Sequence, residues 1–134
     1  SERHPDKLDL YGGVSFANSA LENNDKRTGL MDYRYSLTYD NQNTIANFFG
    51  TQFTDAMLCW SVPFFWGGGN SEYFPEKSFV RFDVDDYNEI DKLLSIVNDP
   101  GDYDNRLDAV SEARQLILNE YNMWPTIKKA IDSL

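Results

Sequence analysis

One stretch, Tyr33 to Gly69, constrains this chain more than any other. It opens with YRYSLTY (Tyr33–Tyr39), which alternates apolar and polar residues with period two, as a strand with one buried face does. A polar turn, Asp40–Thr44, follows. Phe49, Phe53, Ala56, Met57 and Trp60 then recur at the spacing of one apolar helix face, predicting a helix that runs to about Trp60. Val62–Trp66 is a short apolar run stopped by Gly67-Gly68-Gly69, the pattern of a buried strand. Strand, turn, helix and strand make a βαβ unit, and such sheets bind ligands at the C-terminal ends of their strands. The predicted class is α/β, a Rossmann-like parallel sheet flanked by helices.

The rest of the chain supplies further elements. Leu8–Tyr11, closed by Gly12-Gly13, reads as a first short strand, and residues 14–32 as a long polar loop holding Lys26 and Arg27. Ser78–Asp83 is predicted as another strand. A helix over Asp86–Asn98 should bury Tyr87, Ile90, Leu94 and Val97, and Asp99-Pro100-Gly101 ends it. A second helix spans 103–121, with Leu107, Val110, Ala113, Ile117 and Tyr121 near one face. A third covers Thr126–Leu134, with Pro125 at or before its start. Trp124 is either core or a contact to another domain. The 134 residues form one domain's worth of chain, enough to bury about two-thirds of its unfolded surface.

Composition excludes several functions. The net charge of −10 repels nucleic-acid phosphates and anionic lipid alike. A single cysteine, Cys59, permits no intrachain disulfide and no cysteine-based zinc site; at the end of an apolar helix it reads as a buried thiol. The single histidine, His4, lies in a polar N-terminal stretch, away from any nucleophile pairing. No apolar run reaches the roughly 20 residues of a membrane span. Asp83-Val84-Asp85 spells D-x-D, a pattern that can hold a divalent cation, but Asp86 and Glu89 also fit a helix cap with no metal at all.

The central stretch also resembles the donor-binding, C-terminal half of family 10 glycosyltransferases, the α-1,3/4-fucosyltransferases. Tyr39-Asp40-Asn41-Gln42 is similar to that family's F-E-N-S, and Ser61-Val62-Pro63-Phe64-Phe65-Trp66-Gly67 to its V/I-P strand. Asp55-Ala56 aligns between them, and Phe74-Pro75-Glu76-Lys77-Ser78-Phe79-Val80 matches a P-x-x-S-F-I segment. The chain departs from the family where Gly50-Thr51-Gln52 stands in place of T-E-K. The glutamate that would hold the donor ribose and the lysine that would meet its diphosphate are thus replaced.

The resemblance implies one half of a GT-B glycosyltransferase, with residues 1–134 as a single nucleotide-sugar-binding domain and an N-terminal acceptor domain or partner chain to complete it. It implies transfer of a sugar from a nucleotide donor of the GDP-fucose type to a glycan acceptor with inversion, with no metal or other cofactor and with the catalytic base in the other half. The donor-binding residues carried over are Asp40, Asn41, Phe48, Thr51, Gln52 and Lys26. Asp40 and Asn41 equally suit an Asx-type turn, and Lys26 and Arg27 equally suit a solvated loop pair. A bacterial or viral member of such a family would be cytoplasmic or membrane-associated, a eukaryotic one would sit in the Golgi lumen. Two other readings are a degenerate relative that binds nucleotide or glycan without turnover, and a small doubly wound domain unrelated to glycosyl transfer.

Overall fold

The computed structural model describes residues 30–39, 51–66, 73–121 and 123–134. The expected strand at Leu8–Tyr11, the 14–29 part of the loop, the turn after Tyr39 and the glycines after Trp66 lie outside them. The described chain builds strand β1 (Tyr35–Tyr39), helix α1 (Thr51–Leu58), strand β2 (Val62–Trp66), a 3-10 turn (Glu76–Ser78) and strand β3 (Val80–Arg81). Helices α2 (Asn88–Asn98) and α3 (Asp102–Leu116), a π turn (Ile117–Tyr121) and helix α4 (Met123–Asp132) complete it.

The three strands form one parallel sheet in the order β1-β2-β3. Tyr35 stands beside Val62 and Leu37 beside Phe64, while Phe64 stands beside Val80 and Phe65 beside Arg81. As the middle strand, β2 needs apolar side chains on both faces, and residues 62–65 are all buried. On one face Phe65 meets Phe53 of α1 at 4.5 Å between ring centroids, and Phe74 and Phe79 close edge-on around Phe53. On the other face Val62, Phe64, Val80 and Val110 pack together, bordered by Tyr35, Leu93, Ile96 and Tyr103. Helix α3 joins the two cores: Val110 belongs to the second, Ala113 and Ile117 to the first.

Several predicted boundaries move, each for a local reason. Helix α1 stops at Leu58, before Trp60. The Ser61 N–H donates to the Ala56 carbonyl and the Trp60 N–H to that of Met57, the paired bonds of a Schellman cap. Trp60 occupies the left-handed position of that cap with φ 62° and leaves the apolar face. Phe53, Ala56 and Met57 hold that face, fully buried.

Ser78 is no strand residue. Its hydroxyl and its N–H both reach the Pro75 carbonyl, at 2.6 and 2.9 Å, so the chain coils until Phe79 and only Val80–Arg81 pair with β2. Helix α2 starts at Asn88 and buries neither Tyr87, 84% exposed, nor Ile90; it rests on Leu93 and Ile96 instead. Leu93 and Ile96, one turn apart, border the cluster of Val62, Phe64, Val80 and Val110.

Helix α3 widens into a π turn, which carries Tyr121 to an edge-on contact with Phe74 at 5.6 Å. Helix α4 begins at Met123, two residues before Pro125. A proline is accepted there because the first N–H groups of a helix have no partner within it. Trp124 is 72% exposed, so the core reading of that residue does not hold.

Candidate functional site

A parallel sheet presents its strand starts at one edge and its strand ends at the other. Here α3 crosses the edge of the strand starts. The Tyr35 hydroxyl, at the start of β1, donates to Asp102 Oδ2 at 2.8 Å. The Trp60 carbonyl, just ahead of β2, accepts the Tyr103 hydroxyl at 2.7 Å. The Lys77 carbonyl, ahead of β3, accepts an Arg106 guanidinium N–H at 3.1 Å, and Arg106 Nε pairs with Asp102 Oδ2 at 2.8 Å. All three strand approaches are therefore tied to one helix. Burial, the hydrogen bond to Asp102 and the Asp102 charge together push the Tyr35 phenol well above its ordinary range, while the positive charges of Arg106 and Arg34 oppose the shift. This network is structural scaffolding.

The other edge carries the ends of β1, β2 and β3 and the start of α1, since a helix that follows one parallel strand and precedes the next begins where the first strand ends. Thr51 is the first described residue of α1, and Gln52 follows it with its side chain exposed. Backbone N–H groups in the first turn of a helix have no intrahelical acceptor and favour an anion. Of the other residues named from sequence, Asp40, Asn41, Phe48 and Lys26 lie outside the described residues.

Two residues at this edge escaped the sequence reading. Arg81 ends β3, is exposed, and holds its guanidinium carbon 5.5 Å from the centre of the Phe65 ring. Lys92 of α2 donates to the Arg81 carbonyl at 3.3 Å and pairs with Glu89 at 2.8 Å. The signal for Arg81 lay in its place as the last residue of a parallel strand, which became visible only once the strand was shortened to two residues.

The D-x-D segment makes a turn. Asp83 Oδ1 accepts the Asp85 N–H at 3.0 Å and Asp86 Oδ1 the Asn88 N–H at 2.9 Å, the second of these helping to start α2. Glu89 turns toward Lys92 and does not complete a reciprocal cap. Among the described residues no three His, Cys, Asp or Glu side chains come together as metal ligands. No helix among them is long and apolar enough to cross a membrane.

No family model matches the chain, and no curated protein matches it either. Among solved structures it superimposes on a crystal structure of an α1,3-fucosyltransferase, with a TM-score of 0.63 and 22% sequence identity, over 78% of this chain and 30% of that one. The likeness is one of fold. The chain is α/β, with the Rossmann-like architecture found in GT-B glycosyltransferases, and it spans less than a third of the length of the structure it resembles.

Proposed function

We propose that the chain is the donor-binding half of a fucosyltransferase-like glycosyltransferase. In this reading a nucleotide sugar of the GDP-fucose type lies across the C-terminal edge of the sheet, its diphosphate at the start of α1 near Thr51 and Gln52. Asp40, Asn41, Phe48 and Lys26 are the further donor contacts. A carboxylate in a separate acceptor half removes the proton of the acceptor hydroxyl, which attacks the anomeric carbon as the nucleoside diphosphate departs, with inversion. The donor half stabilises the negative charge that develops on the leaving diphosphate. The reading requires no metal.

The observation that carries it is the fold: the three parallel strands end at the edge opposite the one that α3 ties through Tyr35, Trp60 and Lys77, in an architecture shared with an α1,3-fucosyltransferase. A second reading draws on a specific departure: Thr51 and Gln52 replace a charged pair, as a chain that keeps the fold and loses turnover would do.

Calorimetric titration with GDP-fucose, GDP, UDP-sugars and UDP, first without and then with Mg²⁺, separates the two. Selective binding of a guanosine nucleotide without metal is expected. Binding of a different nucleotide keeps the class and changes the donor. Absence of binding to every one of them would overturn the donor-half reading in favour of the degenerate one.

A further inference from the structure

Helix α2 carries more apolar surface than its own core uses. Leu93 and Ile96 rest on the cluster of Val62, Phe64, Val80 and Val110, yet no residue of α2 is buried. Tyr87, Ile90, Leu94 and Val97 form a second stripe, about a third of a turn round the helix from the first. Leu94 is half-buried, and the other three are exposed. Apolar residues at this alternating spacing of three and four make the seam between two packed helices.

Helix α4 leaves a like stripe in solvent. From Trp124 to Asp132 every residue but Pro125 is exposed, Ile127 and Ile131 among them, and Leu134 continues their spacing just past the helix. Tyr87, Ile90 and Leu94 read forwards have the same steps as Leu134, Ile131 and Ile127 read backwards. The two stripes therefore match when the helices run antiparallel.

The flanking charges agree with that direction. Asp91 directly follows Ile90, and Lys128 directly follows Ile127. Both are exposed, and among the described residues neither has an ion-pair or hydrogen-bond partner. With the helices antiparallel, Ile90 meets Ile131, Leu94 meets Ile127, and Asp91 and Lys128 fall on one flank at one level. The other flank brings Ala130 to the Leu93 side, where a small side chain lets the helix come close to the core. A parallel pair would set Asp91 opposite Ala130 and leave both charges unmatched.

We propose that α2 of one copy of this chain packs antiparallel on α4 of a second copy, with the reciprocal contact made across a twofold axis. A single contact between helices of about three turns is small beside the roughly 800 Å² that each partner buries in a stable interface, and the axis doubles it. The proposal does not rest on the donor-half reading.

The test is sedimentation velocity of the 134-residue chain from micromolar to millimolar concentration, with Asp91→Lys, Lys128→Asp and Ile131→Ser beside it. The parent should pass from monomer to dimer. Either charge swap alone should weaken association about tenfold, because each dimer then holds two like-charged pairs. An equimolar mixture of the two swapped chains should recover the parent's affinity, since both contacts of the mixed dimer again join opposite charges. Ile131→Ser should shift the chain to monomer. Circular dichroism melts check that all of them fold, and Ile131→Ser, at an exposed position, keeps the test valid should a swap fail to.

Four results overturn the proposal. A parent chain that stays monomeric leaves the two stripes to another occupant. Association that neither swap nor Ile131→Ser weakens places the contact elsewhere. A loss that mixing does not recover separates the effect from an Asp91–Lys128 pairing. Growth beyond the dimer replaces the twofold contact with an open, head-to-tail one.

Discussion

The Arg114 guanidinium lies 4.4 Å from the centre of the Trp60 ring, and Trp60 itself is held at φ 62°. The two facts belong together. A left-handed cap position normally favours glycine, and a side chain there costs about 1 kcal/mol or more. The indole offsets this by meeting a charge: Arg114 Nη1 is buried without a hydrogen-bond partner, and the ring's π-face is what it has in exchange. Helix α1 is thereby fastened to α3, both through this stack and through the Tyr103 bond to the Trp60 carbonyl.

This gives an order of stabilities that simple loss of packing would not. Trp60→Ala removes the stack and keeps the backbone strain, and should destabilise the chain by about 1–2 kcal/mol. Trp60→Gly also removes the stack but relieves the strain, and should be more stable than the alanine variant by about 1 kcal/mol. Urea unfolding of the two variants measures the difference. The opposite order would show that the left-handed geometry carries no strain.

Phe53 is the side chain whose loss should cost most. It is 1% exposed and meets Phe65, Phe74 and Phe79 ring to ring, so it holds α1, β2 and the segment before β3 together. Phe53→Ala is expected to cost about 3–5 kcal/mol, a large share of the stability of a domain this size. Circular dichroism melts should show a lowered or absent transition, whereas Phe53→Leu should retain a cooperative one.

The Tyr35–Asp102 bond makes stability fall at alkaline pH. Burial and Asp102 raise the Tyr35 phenol pKa in the folded chain above its unfolded value near 10.0. The contribution of this group is therefore complete below about pH 10 and is lost as the pH rises from there toward the folded-state value. Tyr35→Phe should remove that part of the alkaline dependence and lower stability at neutral pH, because Asp102 loses a donor. Denaturant unfolding from pH 7 to 11 on both proteins reads the slope.

Gln52 is exposed beside Thr51, the first described residue of α1, so a longer cationic side chain fits there without displacing core. If the donor lies at this edge, Gln52→Lys should raise affinity for GDP several-fold, about 1 kcal/mol, and make binding more sensitive to salt. Affinity unchanged by the lysine in both low and moderate salt would place the diphosphate away from α1.

The class of this protein was legible in local pattern. Period-two alternation ending at Tyr39, helical spacing through Phe53, Ala56 and Met57, and a continuous apolar run at Val62–Phe65 each report a burial environment the chain must satisfy. A strand buried on both faces implies a parallel sheet with helices on either side. The Asp99-Pro100-Gly101 break was readable too, because Pro and Gly act through their own backbones.

What local pattern did not contain was the pairing of distant residues. Trp60 has the spacing of a core residue, yet the Schellman bonds turn it out of the helix, where Arg114, 54 positions later, receives it. Leu94 and Val97 have the spacing of a buried face, yet it is Leu93 and Ile96 that border the core of Val62, Phe64, Val80 and Val110. Arg81 is an ordinary strand residue until register sets it beside Phe65.

The closure of one sheet edge by α3 depends on three bonds, from Tyr35, Trp60 and Lys77, to residues 67, 43 and 29 positions away. Sequence alone determined which segments become helix and strand, since propensity and periodicity act over a few residues. Tertiary structure alone decided which edge α3 ties and which side chains hold it there, because both follow from contacts between segments far apart in the chain.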